Sequence, residues 1–242
     1  MRHFGFLILI RQPTIMWKRL VVAILMFSPK LGFGADLSTA DLNGVGCEFV
    51  SDEKICLTVL LRGEIIPGDS ERLERYFDQL NGLVETQLKL KVRIGKLHFD
   101  SPGGDLVESI KIGHLIRRNL LSTQVTYDSS CSSACVIAYL GGVFRVPVGP
   151  MGIHSFYSRE FIGPGDYEKA SENYNAMASK LEAYLKEMRV PARFLDEMKM
   201  VPPNTLKILD FAEIEALGVI GIDPVYAQIR QNKQTKSSPN PK

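Results

Sequence analysis

Hydrophobic positions along the chain alternate between two spacings. Runs of β-branched and aliphatic residues predict buried strands, whereas apolar residues spaced three and four apart predict amphipathic helices. The predicted strands cover residues 55–61, 91–99, 124–127, 143–148, 151–156 and 219–223. The predicted helices cover residues 69–84, 106–115, 132–140, 170–188, 191–198 and 210–217. Because strands and helices alternate, the pattern predicts a single α/β domain with a mostly parallel sheet and flanking helices.

The N-terminal segment, residues 1–35, has a different character. Lys18 and Arg19 precede the apolar run Leu20–Phe27, and small residues follow at 32–35. This order is typical of a secretory signal peptide, and the run is shorter than the ~20 apolar residues that span a bilayer. We therefore expect a periplasmic or secreted protein, with translation starting at Met1 or Met16. Association with a membrane is expected only if the segment stays uncleaved.

Charge and composition bear on the remaining chain. The sequence has 242 residues with 29 basic and 27 acidic side chains, which suits one globular domain. Five of the basic residues and none of the acidic ones lie in residues 1–35, so the remainder carries a net charge of −3. A nucleic-acid-binding protein normally keeps a basic face, and no nucleic-acid partner is expected. We predict a domain over residues 36–230 and a disordered polar tail over 231–242.

The four cysteines are interpreted in light of the predicted export, since disulfides persist in oxidising compartments. Cys47 and Cys56 flank a polar centre at residues 51–53. A hairpin about that centre would place the two cysteines opposite each other, which predicts a disulfide between them. Cys131 and Cys135 form either a second disulfide or two small core residues. No CxxC pair or cysteine–histidine cluster is present in the sequence, so no metal site is predicted.

Residues suited to catalysis lie at three predicted strand ends. In parallel sheets, ligand-binding and active sites lie beyond the carboxyl ends of the strands. A Ser-Pro-Gly-Gly loop ends at Gly103 and Gly104, Ser133 opens a small apolar helix, and His154 lies in a later strand. Ser133 is the candidate nucleophile and His154 the candidate base. The amide of Ala134, with that of Gly103 or Gly104, would hold an oxyanion. The pattern favours a serine hydrolase, and the absence of G-x-S-x-G argues against an α/β-hydrolase.

Each of these assignments has a structural alternative. Ser133 could simply pack at a helix start, and His154 could be a core histidine. Ser132 is a rival nucleophile beside Ser133. His98 and His114 are interpreted as structural, because one lies in the strand before the glycine loop and the other on the inward face of the next helix.

Three segments together resemble the ClpP/crotonase-like superfamily, and most of all exported relatives of the Clp protease proteolytic subunit. They are residues 99–104, 132–134 and 151–155, and the resemblance extends over about residues 91–223. It implies a ClpP/crotonase-like domain in which Ser133 is the nucleophile, His154 the base and Gly104 an oxyanion donor. It also implies a peptide or protein substrate, no cofactor, and assembly into a homo-oligomer.

The third catalytic residue departs from the superfamily pattern. The family aspartate would fall near Leu206, and no acid lies within three residues of it. Asn204 is the predicted substitute, with Asp210 as a second candidate that also resembles a helix N-cap. Three functions are therefore weighed. They are an exported serine peptidase, an inactive ClpP-like binding or assembly module, and a crotonase-type thioester enzyme. The predicted export disfavours the third function, because coenzyme A is not expected outside the cytoplasm.

Overall fold

The computed structural model describes residues 34–41, 54–88, 91–156, 167–224 and 226–228. Within these ranges the strands are β1 (Asp36–Asp41), β2 (Lys54–Arg62), β3 (Lys91–Asp100), β4 (Ser122–Val125), β5 (Cys131–Ser132), β6 (Phe144–Pro147), β7 (Met151–Ile153), β8 (Lys207–Ile208) and β9 (Gly221–Ile222). The helices are α1 (Asp69–Leu88), α2 (Leu106–Arg118), α3 (Ala134–Tyr139), α4 (Tyr167–Glu187), α5 (Arg193–Met200) and α6 (Phe211–Ala216).

The main sheet has six strands in the order β1-β2-β3-β4-β6-β9. Its four inner strands are parallel to one another, and the edge strands β1 and β9 are antiparallel to their neighbours. On β2, Leu57 and Leu61 are buried on one face and Cys56 and Thr58 on the other, as expected for a strand covered on both faces. The predicted α/β fold with a mostly parallel sheet is confirmed.

A second, three-stranded sheet in the order β5-β7-β8 lies next to the candidate site. β5 is parallel to β7, and β8 is antiparallel to β7. The amide of Ser133 donates to the carbonyl of Gly152 at 2.8 Å, which joins the start of α3 to β7. This small sheet therefore places Ser133, the residue after β5, next to the end of β7, which His154 follows.

Helix α3 lies in the core, with each of its six residues buried. Helix α4 buries the C-terminal half of its predicted apolar stripe, and the hydroxyl of Tyr184 donates to the carbonyl of Ile137 in α3 at 2.7 Å. The close approach at the end of α3 requires glycine, because a Cβ at Gly141 would lie 2.3 Å from the carbonyl oxygen of Gly113 in α2. The small residues of this segment thus allow three helices to meet.

Several predicted boundaries were wrong. The strand predicted at 124–127 runs from Ser122 to Val125, because Tyr127, which is 84% exposed, belongs to the turn that follows. The helix predicted from residue 132 begins at Ala134, because Ser132 pairs with β7 and Ser133 has a positive φ. The strand predicted at 151–156 ends at Ile153, and the short strands β1, β5 and β8 were not predicted.

Cys131 and Cys135 are joined by a disulfide with Cα atoms 5.4 Å apart. The structure thus decides between the two alternatives for this pair. Cys56 is buried, but Cys47, the 1–33 part of the predicted signal peptide and the tail at 231–242 lie outside the described residues, so those assignments stay predictions. Among the described helices, none has the length and hydrophobicity needed to cross a bilayer.

Candidate active site

Ser133 occupies the sharp turn between β5 and α3, with φ 57° and ψ −129°. A positive φ at a residue other than glycine costs about 1–3 kcal/mol and persists only where the surroundings impose it. Here Ser132 donates its amide hydrogen to the carbonyl of Ser101 at 3.0 Å, Ser133 donates to Gly152, and the disulfide closes over the turn. The Ser133 side chain makes no capping hydrogen bond to α3, so its hydroxyl is available to a ligand.

A groove of about 1230 Å³ passes over this turn. Its lining includes most of the predicted site, namely Gly103, Gly104, Ser133, Ala134 and His154. Residues that lie far apart in the sequence therefore meet at one surface. Helix α4 forms another wall of the groove with Tyr174, Met177 and Lys180, among others.

The glycine loop lies directly against Ser133, the candidate nucleophile. Gly103 has φ 99°, and a Cβ there would be 2.8 Å from Cβ of Ser133 and 2.9 Å from the nitrogen of Ala134. Both distances are shorter than non-bonded atoms allow. Gly103 is thus required by its backbone conformation and by the closeness of the helix start.

The amides around Ser133 differ in their hydrogen bonding. The Gly103 amide donates to Oγ of Ser101 at 3.1 Å. The amides of Gly104 and Ala134 donate to no other group in the described part of the chain. Two unpaired donors beside a nucleophile are what an oxyanion hole requires. Of the two glycines considered, Gly104 is the one whose amide is available.

His154 directly follows β7 and is partly exposed in the groove. Its Nδ1 lies 2.7 Å from the carbonyl oxygen of Ser155. No hydrogen bond joins His154 to Ser133 across the described site. Hydrogen bonds between catalytic residues are often long before substrate binds, and both side chains line the same groove.

Asn204 is not brought to His154. It is exposed in the loop between α5 and β8, outside the groove lining, and has no hydrogen bond to the imidazole. The loop turns on itself, because the amide and hydroxyl of Thr205 both donate to the carbonyl of Pro202. Asp210 accepts from the amide of Glu213 and caps α6. Neither candidate for the third position hydrogen bonds to His154.

The remaining alternatives take structural positions. Nε2 of His98 lies 3.0 Å from Oγ of Ser129 and 2.9 Å from Oγ1 of Thr126, away from the groove lining, and burial lowers its pKa. His114 contacts Glu187 of α4 at 3.0 Å. Ser132 is absent from the groove lining and lies against Gly152.

Sequence reasoning missed two residues that shape the loop. Oγ of Ser101 accepts the Gly103 amide, a local serine turn that the spacing could have indicated. Ile65 donates to the carbonyl of Gly103 and accepts from the amide of Asp105, both at 2.8 Å. No sequence signal points to Ile65, because its role depends on β2 and β3 being neighbours.

Comparisons with known proteins find similarity to solved structures only. No protein-family model and no curated protein matches the chain. It is similar to the solved structure of a ClpP1 mutant from Listeria monocytogenes, at 18% identity over 67% of this chain and 88% of that chain, with a TM-score of 0.48. It is also similar to a mutant of the membrane-bound stomatin-specific protease 1510-N, at 15% identity over 71% of this chain and 81% of that chain, with a TM-score of 0.46.

We assign no residue role from either structure.

Proposed function

We propose that this protein is a serine hydrolase of the peptidase type that acts through an acyl-enzyme on Ser133. One observation supports this proposal above the others. A serine in a strained turn, a histidine and two unpaired amides line a single groove. These are the nucleophile, the base and the oxyanion donors of acyl transfer.

The reaction proceeds in two halves. Oγ of Ser133 attacks the substrate carbonyl carbon while its proton passes to Nε2 of His154, and the amides of Gly104 and Ala134 donate to the oxyanion. Collapse breaks the C–N bond, and the leaving amine takes the proton from His154. Water then attacks the ester, again with His154 as the base. Collapse of the second intermediate returns the proton to Ser133 and releases the acid.

The groove supports a peptide or protein as substrate. Its volume of about 1230 Å³ exceeds the ~300–1,000 Å³ of a typical small-ligand pocket. Much of its lining is apolar, including Leu106, Val107, Met177 and Met198. We expect apolar side chains to be preferred next to the cleaved bond.

Location and assembly form part of the same proposal. The signal-peptide pattern and the Cys131–Cys135 disulfide support export to an oxidising compartment. The family resemblance supports a homo-oligomer. Cell fractionation and analytical ultracentrifugation test these two points, and a cytoplasmic monomer would contradict both.

The test is fluorophosphonate labelling of the purified protein. Wild type and Ser132→Ala should label, whereas Ser133→Ala should not. The Ser132 variant is a matched control because it removes the neighbouring hydroxyl, which lies outside the groove lining. Full labelling of Ser133→Ala would contradict the assignment of the nucleophile.

No carboxylate hydrogen bonds to His154 among the described residues, and this favours a second candidate function, a ClpP-like module that binds or assembles without turnover. No labelling of wild type, together with a cooperative thermal transition, would favour this candidate. The search for a partner would then replace the search for a substrate.

A further inference from the structure

The base of a serine hydrolase needs a defined tautomer. The ring nitrogen that takes the proton must be unprotonated, so the other ring nitrogen must carry the hydrogen. A buried carboxylate that accepts a hydrogen bond from that second nitrogen usually fixes this tautomer. No carboxylate or amide side chain hydrogen bonds to His154 within the described residues. The proposed mechanism therefore requires another group that fixes the ring.

We propose that the main-chain carbonyl of Ser155 takes the place of the missing third residue, an inference that rests on the proposed function. Nδ1 of His154 lies 2.7 Å from that oxygen, within hydrogen-bond range. A carbonyl oxygen can only accept, so Nδ1 must be the donor. In the neutral ring Nε2 is then unprotonated and can accept the proton of the Ser133 hydroxyl. Ser155 is in this sense a positioning residue.

The fold holds this carbonyl in place. The Ser155 amide donates to the carbonyl of Val201 at 2.8 Å, and Val201 is a buried residue at the end of α5. On the other side, β7 is held between β5 and β8. The ring of Phe156 stacks on Tyr174 of α4 with centroids 4.7 Å apart. The peptide next to His154 is thus fixed by contacts to two helices and a sheet.

A neutral carbonyl and a carboxylate differ in one respect. Both fix the tautomer, but only the carboxylate also stabilises the imidazolium that forms when the proton is transferred. The Ser155 carbonyl therefore orients the His154 ring but stabilises the positive charge of the imidazolium less than a carboxylate would. It also removes any need for Asn204 in the reaction.

The first test reads the tautomer directly in the wild-type protein. With ¹⁵N-labelled histidine and the imidazole neutral, Nδ1 of His154 should give a pyrrole-type signal and Nε2 a pyridine-type signal. His154→Gln assigns the pair of signals by their loss. The opposite assignment, with the hydrogen on Nε2, would overturn the role of Ser155.

The second test separates the main chain of residue 155 from its side chain. The Ser155 hydroxyl makes no hydrogen bond within the described chain, so Ser155→Ala should label at the wild-type rate, as should Asn204→Ala. Ser155→Pro removes the amide that bonds to Val201 and should slow labelling by about tenfold or more. Loss of labelling in Asn204→Ala would overturn the inference.

The two proposals fail in different ways. If wild type labels but the hydrogen is on Nε2, only the role of Ser155 is wrong. If wild type does not label, the proposed function is wrong. The hydrogen bond between His154 and the Ser155 carbonyl then has no catalytic role, whichever tautomer is found. The tautomer measurement does not depend on the folding of the proline variant.

Discussion

The two sides of the candidate site are built in different ways. On the nucleophile side, a disulfide, main-chain hydrogen bonds and the close approach of Gly103 hold Ser133 in a strained turn, and the amides of Gly104 and Ala134 donate to no group among the described residues. On the base side, the only hydrogen bond of His154 within the described residues is to a neutral carbonyl. The proposed nucleophile is thus held by more contacts than the proposed base.

In the proposed mechanism, this difference bears on how much of the rate enhancement comes from the oxyanion donors and how much from the base. Oxyanion donors and substrate binding alone still accelerate the reaction about 10³-fold to 10⁴-fold over water in serine hydrolases whose triad residues are removed. A site with two unpaired amides and a modest base should therefore react with activated acyl or phosphonyl groups more readily than with ordinary amides. The following variants test each side in turn.

The largest effect is expected at the glycine loop. In Gly103→Ala the new Cβ would lie 2.5 Å from the carbonyl oxygen of Ser132, and the φ of 99° is unfavourable for alanine. Labelling should be abolished, with a loss of about 1–3 kcal/mol in the free energy of unfolding.

Gly82→Ala is the matched control, because a Cβ there meets nothing within 4 Å. As a glycine inside helix α1, it should gain about 0.5–1 kcal/mol on substitution and keep full labelling. Urea unfolding and labelling rates measure both variants. Equal labelling of Gly103→Ala and wild type would show that the loop does not support the site.

The next effect is expected on the base side. His154→Gln removes the proton acceptor and should slow labelling by about 100-fold to 10,000-fold, with little change in thermal stability. His114→Gln is the control, since His114 contacts Glu187 away from the groove. A comparable loss in both variants would mean that the effect of His154 is structural.

An intermediate effect is expected from the disulfide. The double variant Cys131→Ala, Cys135→Ala should lose about 2 kcal/mol of stability on the chain-entropy model. Labelling should also slow, because Ser133 can relax from its positive φ once the bridge is gone. Urea unfolding and labelling measure the two effects, and peptide mapping without reduction should find the pair linked. Two free thiols would contradict the pairing.

The smallest effect is a pH dependence that arises away from the groove. Burial lowers the pKa of His98 below its ordinary value of 6.5. The unfolded chain therefore binds the proton more readily, and stability should fall as the pH drops through about 6.5 and below. Urea unfolding between pH 7.5 and 5 should show a steeper decline in wild type than in His98→Gln. Equal slopes would exclude His98 as the cause.

Much of the site was predictable because its residues follow local rules. Ser133 precedes an apolar helix, Gly103 and Gly104 follow a strand, and His154 directly follows another; each is visible from the hydrophobic pattern around it. The third position was not predictable in the same way. Asn204 was chosen for its side chain, whereas the group that reaches His154 is a main-chain carbonyl, which every residue possesses and no sequence pattern marks.

The sequence by itself determined the α/β class, most of the helices and inner strands, and the identity of the candidate nucleophile, base and glycine loop. It could do so because the spacing of hydrophobic residues is a local property of helices and strands. Only the tertiary structure decided that Cys131 and Cys135 are bridged, that Ile65 pairs with the glycine loop, and which amides stay unpaired. These features depend on which segments, distant in the sequence, become neighbours in the fold. Hydrogen bonds between such segments produce no periodic pattern in the sequence.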